Sequence, residues 1–226
     1  MAEIESVSIP EEVPVFPLPG VVLFPHIVLP LHLFEPRYRS MASDALSGPG
    51  IISLALLRPG FEPLYHTLNA PIHPVVCVGR IIGSERLAAG TYNILLQGVC
   101  RARVVHERQD RPYRVATIDV IPPPSADPPV ADARQALQSA VGECVSGEWP
   151  QHERWRKLLS AGLPLDALTD VISSDLPVDV ELQQALLAEA DCATRAGMIV
   201  EAVRSIAAIR AARRRRNAIG GSSSMN

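Results

Sequence analysis

Residues Val13 to Met41 read VPVFPLPGVVLFPHIVLPLHLFEPRYRSM, an apolar run that proline interrupts every few residues. Proline removes a ladder donor and fixes φ, so such pieces suit strands at a sheet edge or strands joined by tight turns. Strand character stops at Phe34 and Glu35. Pro36 fits the first position of a helix, where its missing N–H costs nothing, and Tyr38, Met41, Ala42 and Ala45 follow at helical spacing. The expected order is strand, proline-rich turn, strand, short helix.

The same character continues to Ile121. Ile51 to Leu57 (IISLALL) and Val75 to Ile82 (VVCVGRII) are short runs rich in branched residues, bounded by Gly and Pro. Tyr92, Ile94 and Leu96 alternate with Asn93 and Gln97, Gly98 marks a bulge or bend, and Cys100, Ala102 and Val104 then alternate with Arg101 and Arg103. One face of such a strand is core and the other wet. Several short strands with turn signals predict a curved antiparallel sheet or pseudo-barrel over residues 11–121. Five prolines among residues 122–129 (PPPSADPP) end the sheet and predict a stiff linker.

Beyond the linker the spacing of apolar residues becomes helical. Ala131 to Cys144, Glu153 to Ser160, Leu165 to Ser173, Val180 to Ala190 and Ala193 to about Arg213 predict four or five packed helices over residues 130–213. Ile199, Val203 and Ile206 form one stripe of the last. Residues 214–226 end in GGSSSMN, which offers nothing to bury and is expected to be disordered. The fold class is therefore α+β, a curved, PUA-like strand subdomain followed by a helical bundle.

Composition bounds the function. In 226 residues with 47% hydrophobic and 20% charged content there is enough apolar surface for a real core, and with aromatics at 4% it must be built from aliphatic side chains. The acidic start carries no Lys or Arg before Arg37, and the apolar stretch from Gly20 to Phe34 is short and broken by Pro25 and Pro30. A signal peptide or membrane span is not expected. Cys77, Cys100, Cys144 and Cys192 are far apart and form no C-x-x-C pair, as suits a reducing, cytoplasmic compartment.

Catalytic constellations are missing. There is no phosphate-binding G-x-x-x-x-G-K-[ST] loop, dinucleotide turn, G-x-S-x-G elbow or H-E-x-x-H helix. The single lysine, Lys157, lies on an amphipathic helix with nothing to desolvate it. None of His26, His32, His66, His73, His106 and His152 lies four residues from another, so no metal site, cofactor or catalytic residue is assigned.

Two binding features remain. Arg195 to Arg216 holds seven arginines against one glutamate, densest at Arg213, Arg214, Arg215 and Arg216. Such a cluster can bind phosphate backbones, but cations at a helix C-terminus also suit the macrodipole, and no aromatic platform for bases lies nearby. Nucleic acid is therefore the lesser reading of this end. Between two apolar strands, the turn-rich segment from Arg58 to Pro71 carries Phe61, Leu64 and Tyr65, which serve either as anchors for a bound chain or as caps folded over the sheet.

Three ordered blocks carry a resemblance: Val13 to Met41; Gly90 to Val104 (GTYNILLQGVCRARV) around Ile94, Gly98 and Arg101; and Leu182 to Arg195 (LQQALLAEADCATR) through Gln184, Leu186, Leu187, Asp191 and Arg195. Together they resemble the N-terminal domain of the Lon protease family, the substrate-engaging module that precedes the ATPase and peptidase. The resemblance implies a stand-alone, non-catalytic module that recognises unfolded polypeptide or a protein partner, including a separate protease. Two further classes stay open beside it. One is a small-molecule or enzymatic function in a cleft between the subdomains, and the other is nucleic-acid binding through Arg213 to Arg216. The oligomeric state is not legible.

Overall fold

The computed structural model describes residues 8–123, 130–143 and 151–221. Among them are six strands and six helices, in the order β1 (Glu12–Leu18), β2 (Val28–Leu33), α1 (Pro36–Leu46), β3 (Ile51–Leu56), β4 (Val75–Arg86), β5 (Tyr92–Arg108), β6 (Arg114–Val120), α2 (Val130–Glu143), α3 (His152–Ser160), α4 (Leu165–Asp175), α5 (Val180–Ala188) and α6 (Cys192–Gly221). The class is α+β, as the residue patterns predict. Two compact units are present. One holds all six strands with α1 and α5, and the other holds α2, α3, α4 and α6. Most of the proline-rich stretch, residues 124–129, lies outside the described residues.

The strand unit is a sheet in the order β2-β5-β4-β3-β1-β6 that closes on itself, because β5 also pairs with β6. The 17-residue length of β5 makes closure possible. Its first half pairs with β2, from Tyr92↔Leu33 to Gln97↔Val28, and its second half pairs with β6, from Ala102↔Val120 to Arg108↔Val115. The ring runs β5-β4-β3-β1-β6, and β2, paired to β5 from outside it, is a six-residue edge strand whose Pro30 blunts the aggregation hazard of a free edge. The ring's interior is filled by aliphatic side chains such as Val13, Val15, Ile51, Val76, Val78 and Ile118, all at most 5% exposed.

The sheet is mixed where an antiparallel one was expected. β1 and β3 run parallel, with Val15↔Ser53 and Leu18↔Leu56 in register. The chain between them contains β2 and α1, a crossover long enough to bring β3 back in the direction of β1. Helix α1 starts at Pro36 and buries Tyr38, Met41, Ala42 and Ala45. Along β5, Tyr92, Ile94 and Leu96 are buried while Asn93 and Leu95 are exposed. The register with β4 slips next to Gly98, from Gly79↔Gly98 to Val78↔Cys100. A Cβ at Gly98 would collide with the Phe24 carbonyl, whose segment is sewn on by His26 N–H to Gly98 O at 2.9 Å and Gly98 N–H to Ile27 O at 2.8 Å.

Helix α5 is fastened to the strands by polar bonds. Buried Arg101 donates from Nε to Leu187 O at 2.8 Å, and Gln184 donates from Nε2 to Val75 O at 2.9 Å. Asp179 caps this helix by accepting from Leu182 N–H at 2.8 Å. In the helical unit, Arg195 is fully buried, with Nε 3.4 Å from Asp170 Oδ1 and 3.0 Å from Thr169 Oγ1. Asp191 caps the start of α6 by accepting from Thr194 N–H at 2.6 Å, and that bond holds its carboxyl below the usual carboxylate range. Helix α6 buries Ile199 and Val203, leaves Ile206 half-buried, and runs on to Gly221, beyond the end expected near Arg213. The backbone keeps helical geometry through the arginine run.

Candidate functional site

After β3 the chain makes an excursion over residues 57–74 that is zipped at its base. Leu57 bridges Ile72, Arg58 N–H reaches Pro71 O at 2.9 Å, and His73 N–H returns to Leu56 O at 2.9 Å. Gly60 takes a left-handed φ of 84°, a conformation that a side chain would strain, and its N–H bonds Glu62 Oε1 at 3.2 Å. A single 3-10 turn, Glu62–Leu64, forms the tip.

This loop is clamped from two directions. Arg37, in the first turn of α1, donates from Nη2 to Tyr65 O at 2.8 Å and from Nη1 to Thr67 O at 3.3 Å, while its Nε pairs with Glu35 Oε2 at 3.0 Å. Glu35 accepts the Tyr65 hydroxyl at 2.8 Å through its other oxygen. The Arg37 guanidinium lies 4.4 Å from the Tyr38 ring centroid and 5.0 Å from that of Tyr65, so it rests against both rings. From the other side, buried Arg114 on β6 donates to Ala70 O at 2.5 Å, and Gln109 donates to Leu68 O at 3.0 Å. Burial, followed by the Glu35 hydrogen bond, pushes the Tyr65 hydroxyl above its ordinary value. Burial likewise pushes up the Tyr38 hydroxyl.

The three aromatic-loop candidates thus separate by geometry. Tyr65 turns toward Glu35 and Arg37 and packs against the core, whereas Phe61 is 39% exposed and Leu64 41% exposed at the tip. The clamping pair was not singled out from sequence. Glu35 and Arg37 are visible there as part of a helix start, but their partner stands 28 to 30 positions further on. A second apolar surface was also missed. Where β2, β5 and β4 lie side by side, Leu95 is 44% exposed and lines a hollow of about 450 Å³ with Pro30 and Gly83, while Val28 on β2 is 43% exposed and Phe34, just past β2, more exposed still. Its sequence signal is Leu95 itself, an apolar residue in the wet phase between Asn93 and Gln97.

Arg213, Arg214, Arg215 and Arg216 are exposed on α6. Four consecutive helical residues fan out by about 100° each, so they spread around the helix instead of forming one flat basic face. Lys157 is exposed in the last turn of α3. Among the described residues no group of three or more His, Cys, Asp or Glu is arranged to hold a metal ion. No helix among them is long and apolar enough to cross a membrane.

Comparison with known proteins agrees with this architecture. The chain belongs to the ATP-dependent protease La (LON) substrate-binding domain family, whose model matches residues 12–205. It is 28% identical over 174 residues to Lon protease 2 of Syntrophobacter fumaroxidans, covering 76% of this chain and 20% of that protein. It is 24% identical over 200 residues to Lon protease 2 of Myxococcus xanthus, covering 88% and 24% respectively. The chain therefore spans about a quarter or less of these relatives, and the match is to their substrate-binding domain. Among solved structures, the N-terminal domain of the Mycobacterium avium complex Lon protease superposes with a TM-score of 0.64 at 15% identity, over 85% of this chain and 98% of that one. A Lon N-terminal domain protein from Xanthomonas campestris gives 0.62 at 22% identity, over 84% and 97%.

Proposed function

We propose that this chain is a non-catalytic recognition module that engages apolar segments of unfolded polypeptide, or of a protein partner linked to proteolysis, in the cytoplasm. The anchors are Phe61 and Leu64, and Tyr65 holds them in place. One observation carries the reading: two large apolar side chains stand exposed at the tip of a loop whose backbone is clamped by Arg37 on one side and Arg114 on the other. A clamped loop loses little entropy when it binds, so its apolar contacts are not spent on ordering it. Membership of a family described as a substrate-binding domain supports polypeptide as the ligand class.

The test is the double substitution Phe61→Ala with Leu64→Ala, assayed against a permanently unfolded client protein. Truncating a central anchor weakens binding by about 2 kcal/mol or more, while the thermal midpoint should stay close to that of the parent. Unchanged affinity would move the binding surface elsewhere, with the Val28 and Leu95 face next in line.

A further inference from the structure

On the face of α1 away from Arg37, the strand unit holds a polar hollow of about 410 Å³ lined by Arg39, Ser40, Ser43, Asp44, Arg86 and Tyr92 together with Pro36 and Gly90. Its residues come from α1 and from the turn joining β4 to β5. That turn is closed by Leu87 N–H to Thr91 O at 2.9 Å and Gly90 N–H to Leu87 O at 2.8 Å. Arg39 donates from Nε to Gly90 O at 2.7 Å. Gly90 has φ 75°, and a Cβ there would collide with the Arg39 guanidinium. The guanidinium is thus seated against bare backbone, and its Nη donors remain for a ligand. Arg86 stands across from Tyr92 in the register and lies 5.9 Å from its ring centroid, with an exposed side chain.

Charge decides what such a hollow takes. Four arginines of this unit have carboxylate partners, Arg37 with Glu35, Arg108 with Glu12, Arg111 with Asp44 and Arg114 with Glu107, whereas Arg58 is held by the Ile72 carbonyl. Arg39 and Arg86 have none among the described residues. The one carboxylate in the lining, Asp44, is already engaged by the Tyr113 hydroxyl at 2.6 Å and Arg111 Nη1 at 2.8 Å. Two guanidinium groups around one hollow repel each other unless an anion sits between them. Planar forks of N–H donors match phosphate oxygens two at a time, and the Ser43 hydroxyl can donate to the remaining oxygen, whereas the Ser40 hydroxyl donates to Pro36 O at 3.2 Å.

We infer that this hollow is a binding site for a phosphate monoester, in which Arg39 and Arg86 neutralise the dianion and the Ser43 hydroxyl adds a further hydrogen bond. The site is independent of the loop tip at Phe61 and Leu64. The phosphoryl group can arrive on a polypeptide side chain or on a small free ester, and the volume leaves room for the group that bears it.

The experiment titrates isotope-labelled full-length chain with inorganic phosphate, then with a phosphoserine peptide and its unphosphorylated form, following backbone amide resonances. Saturable shifts at Gly90, Ser40 and Ser43 are expected, and Arg86→Gln, an exposed change that leaves the fold untouched, should weaken binding by roughly tenfold or more. Arg39→Gln should abolish it. A phosphopeptide that binds more tightly than phosphate, with no binding of the unphosphorylated peptide, makes polypeptide the source. Equal affinity for phosphate and phosphopeptide makes a free ester the source. Absence of saturable shifts at these amides, shifts confined to Arg213 to Arg216, or an Arg86→Gln chain that binds phosphate as well as the parent would overturn the assignment.

Discussion

Removing one oxygen atom tests whether Tyr65 is the hinge pin of the loop. In Tyr65→Phe the ring keeps its place beside Arg37 and Tyr38, at 5.0 and 6.4 Å between centres, and only the 2.8 Å hydrogen bond to Glu35 is lost. The acceptor is a carboxylate with 16% of its side chain exposed, so the bond is charge-assisted and shielded from water. Bonds of this kind are worth about 1.5–3 kcal/mol, and the value here belongs at the lower end because Glu35 retains Arg37 at 3.0 Å. A loss of about 1.5 kcal/mol corresponds to a fall of roughly 3–6 °C in the thermal midpoint of a unit this size. Calorimetry on the full chain reads that midpoint directly. A cycle with Glu35→Gln should return a coupling of about 1 kcal/mol. By contrast, Phe61→Ala should move the midpoint much less, because Phe61 is 39% exposed. If Tyr65→Phe melts with the parent, or Phe61→Ala is the more damaging change, then Tyr65 does not hold the loop and the division between a clamping Tyr65 and exposed anchors at the tip is wrong.

Gly98→Ala should destabilise the strand unit by about 1–3 kcal/mol in urea unfolding, because the added methyl meets the fixed Phe24 carbonyl and not a side chain that can swing away. A midpoint equal to the parent's would refute that collision. In the helical unit, Arg195→Met takes the guanidinium from the buried Asp170 carboxylate, at a cost of about 3–5 kcal/mol. Adding Asp170→Leu should recover much of the loss, and a double variant no better than the single one would count against a charge-based account. Tyr38, Tyr65 and Tyr113 all hold their protons more tightly folded than free, chiefly through burial. Their contribution is therefore fully present below the ordinary value of 10.0 and is lost as pH rises beyond it. Tyrosinate absorbance appearing together with unfolding above that pH is the expected result, and tyrosinate formed well before unfolding would contradict it.

Features that depend on the chain's own nearest neighbours were legible in the sequence. Proline spacing marks β1 and β2 as short strands and Pro36 as the start of α1, because a missing N–H and a fixed φ act where they stand. Alternation places Tyr92, Ile94 and Leu96 inside and Asn93 outside, since a strand's side chains change face at every residue. Gly98 announces an irregularity in β5, and the order of the three blocks points to the family. The blocks turn out to be made of structural residues: Arg101 and Gln184 fasten α5 to the strands, Asp191 caps α6, and Arg195 fills the helical unit's interior beside Asp170. Arg101, Gln184 and Arg195 carry a fold signature because each bonds a group that only this tertiary arrangement supplies, whereas the Asp191 cap is local.

What only the tertiary structure decided depends on partners far apart in the chain. The parallel pairing of β1 with β3 follows from where the crossover through β2 and α1 returns, which no local pattern encodes. Helix α5 reads as one more amphipathic helix of the second half, yet Leu187 and Gln184 bond Arg101 and Val75 of the strands, 86 and 109 positions earlier. The residues from Arg58 to Pro71 read in sequence as either anchors or caps, and the structure separates them: Tyr65 is turned inward because Glu35 and Arg37 stand opposite it, while Phe61 and Leu64 stay at the surface. Local stereochemistry sets which segments form strands and helices. Long-range polar partners, whose free energy is gained only once the ring has closed, decide which side chains are turned inward and which are left for a ligand.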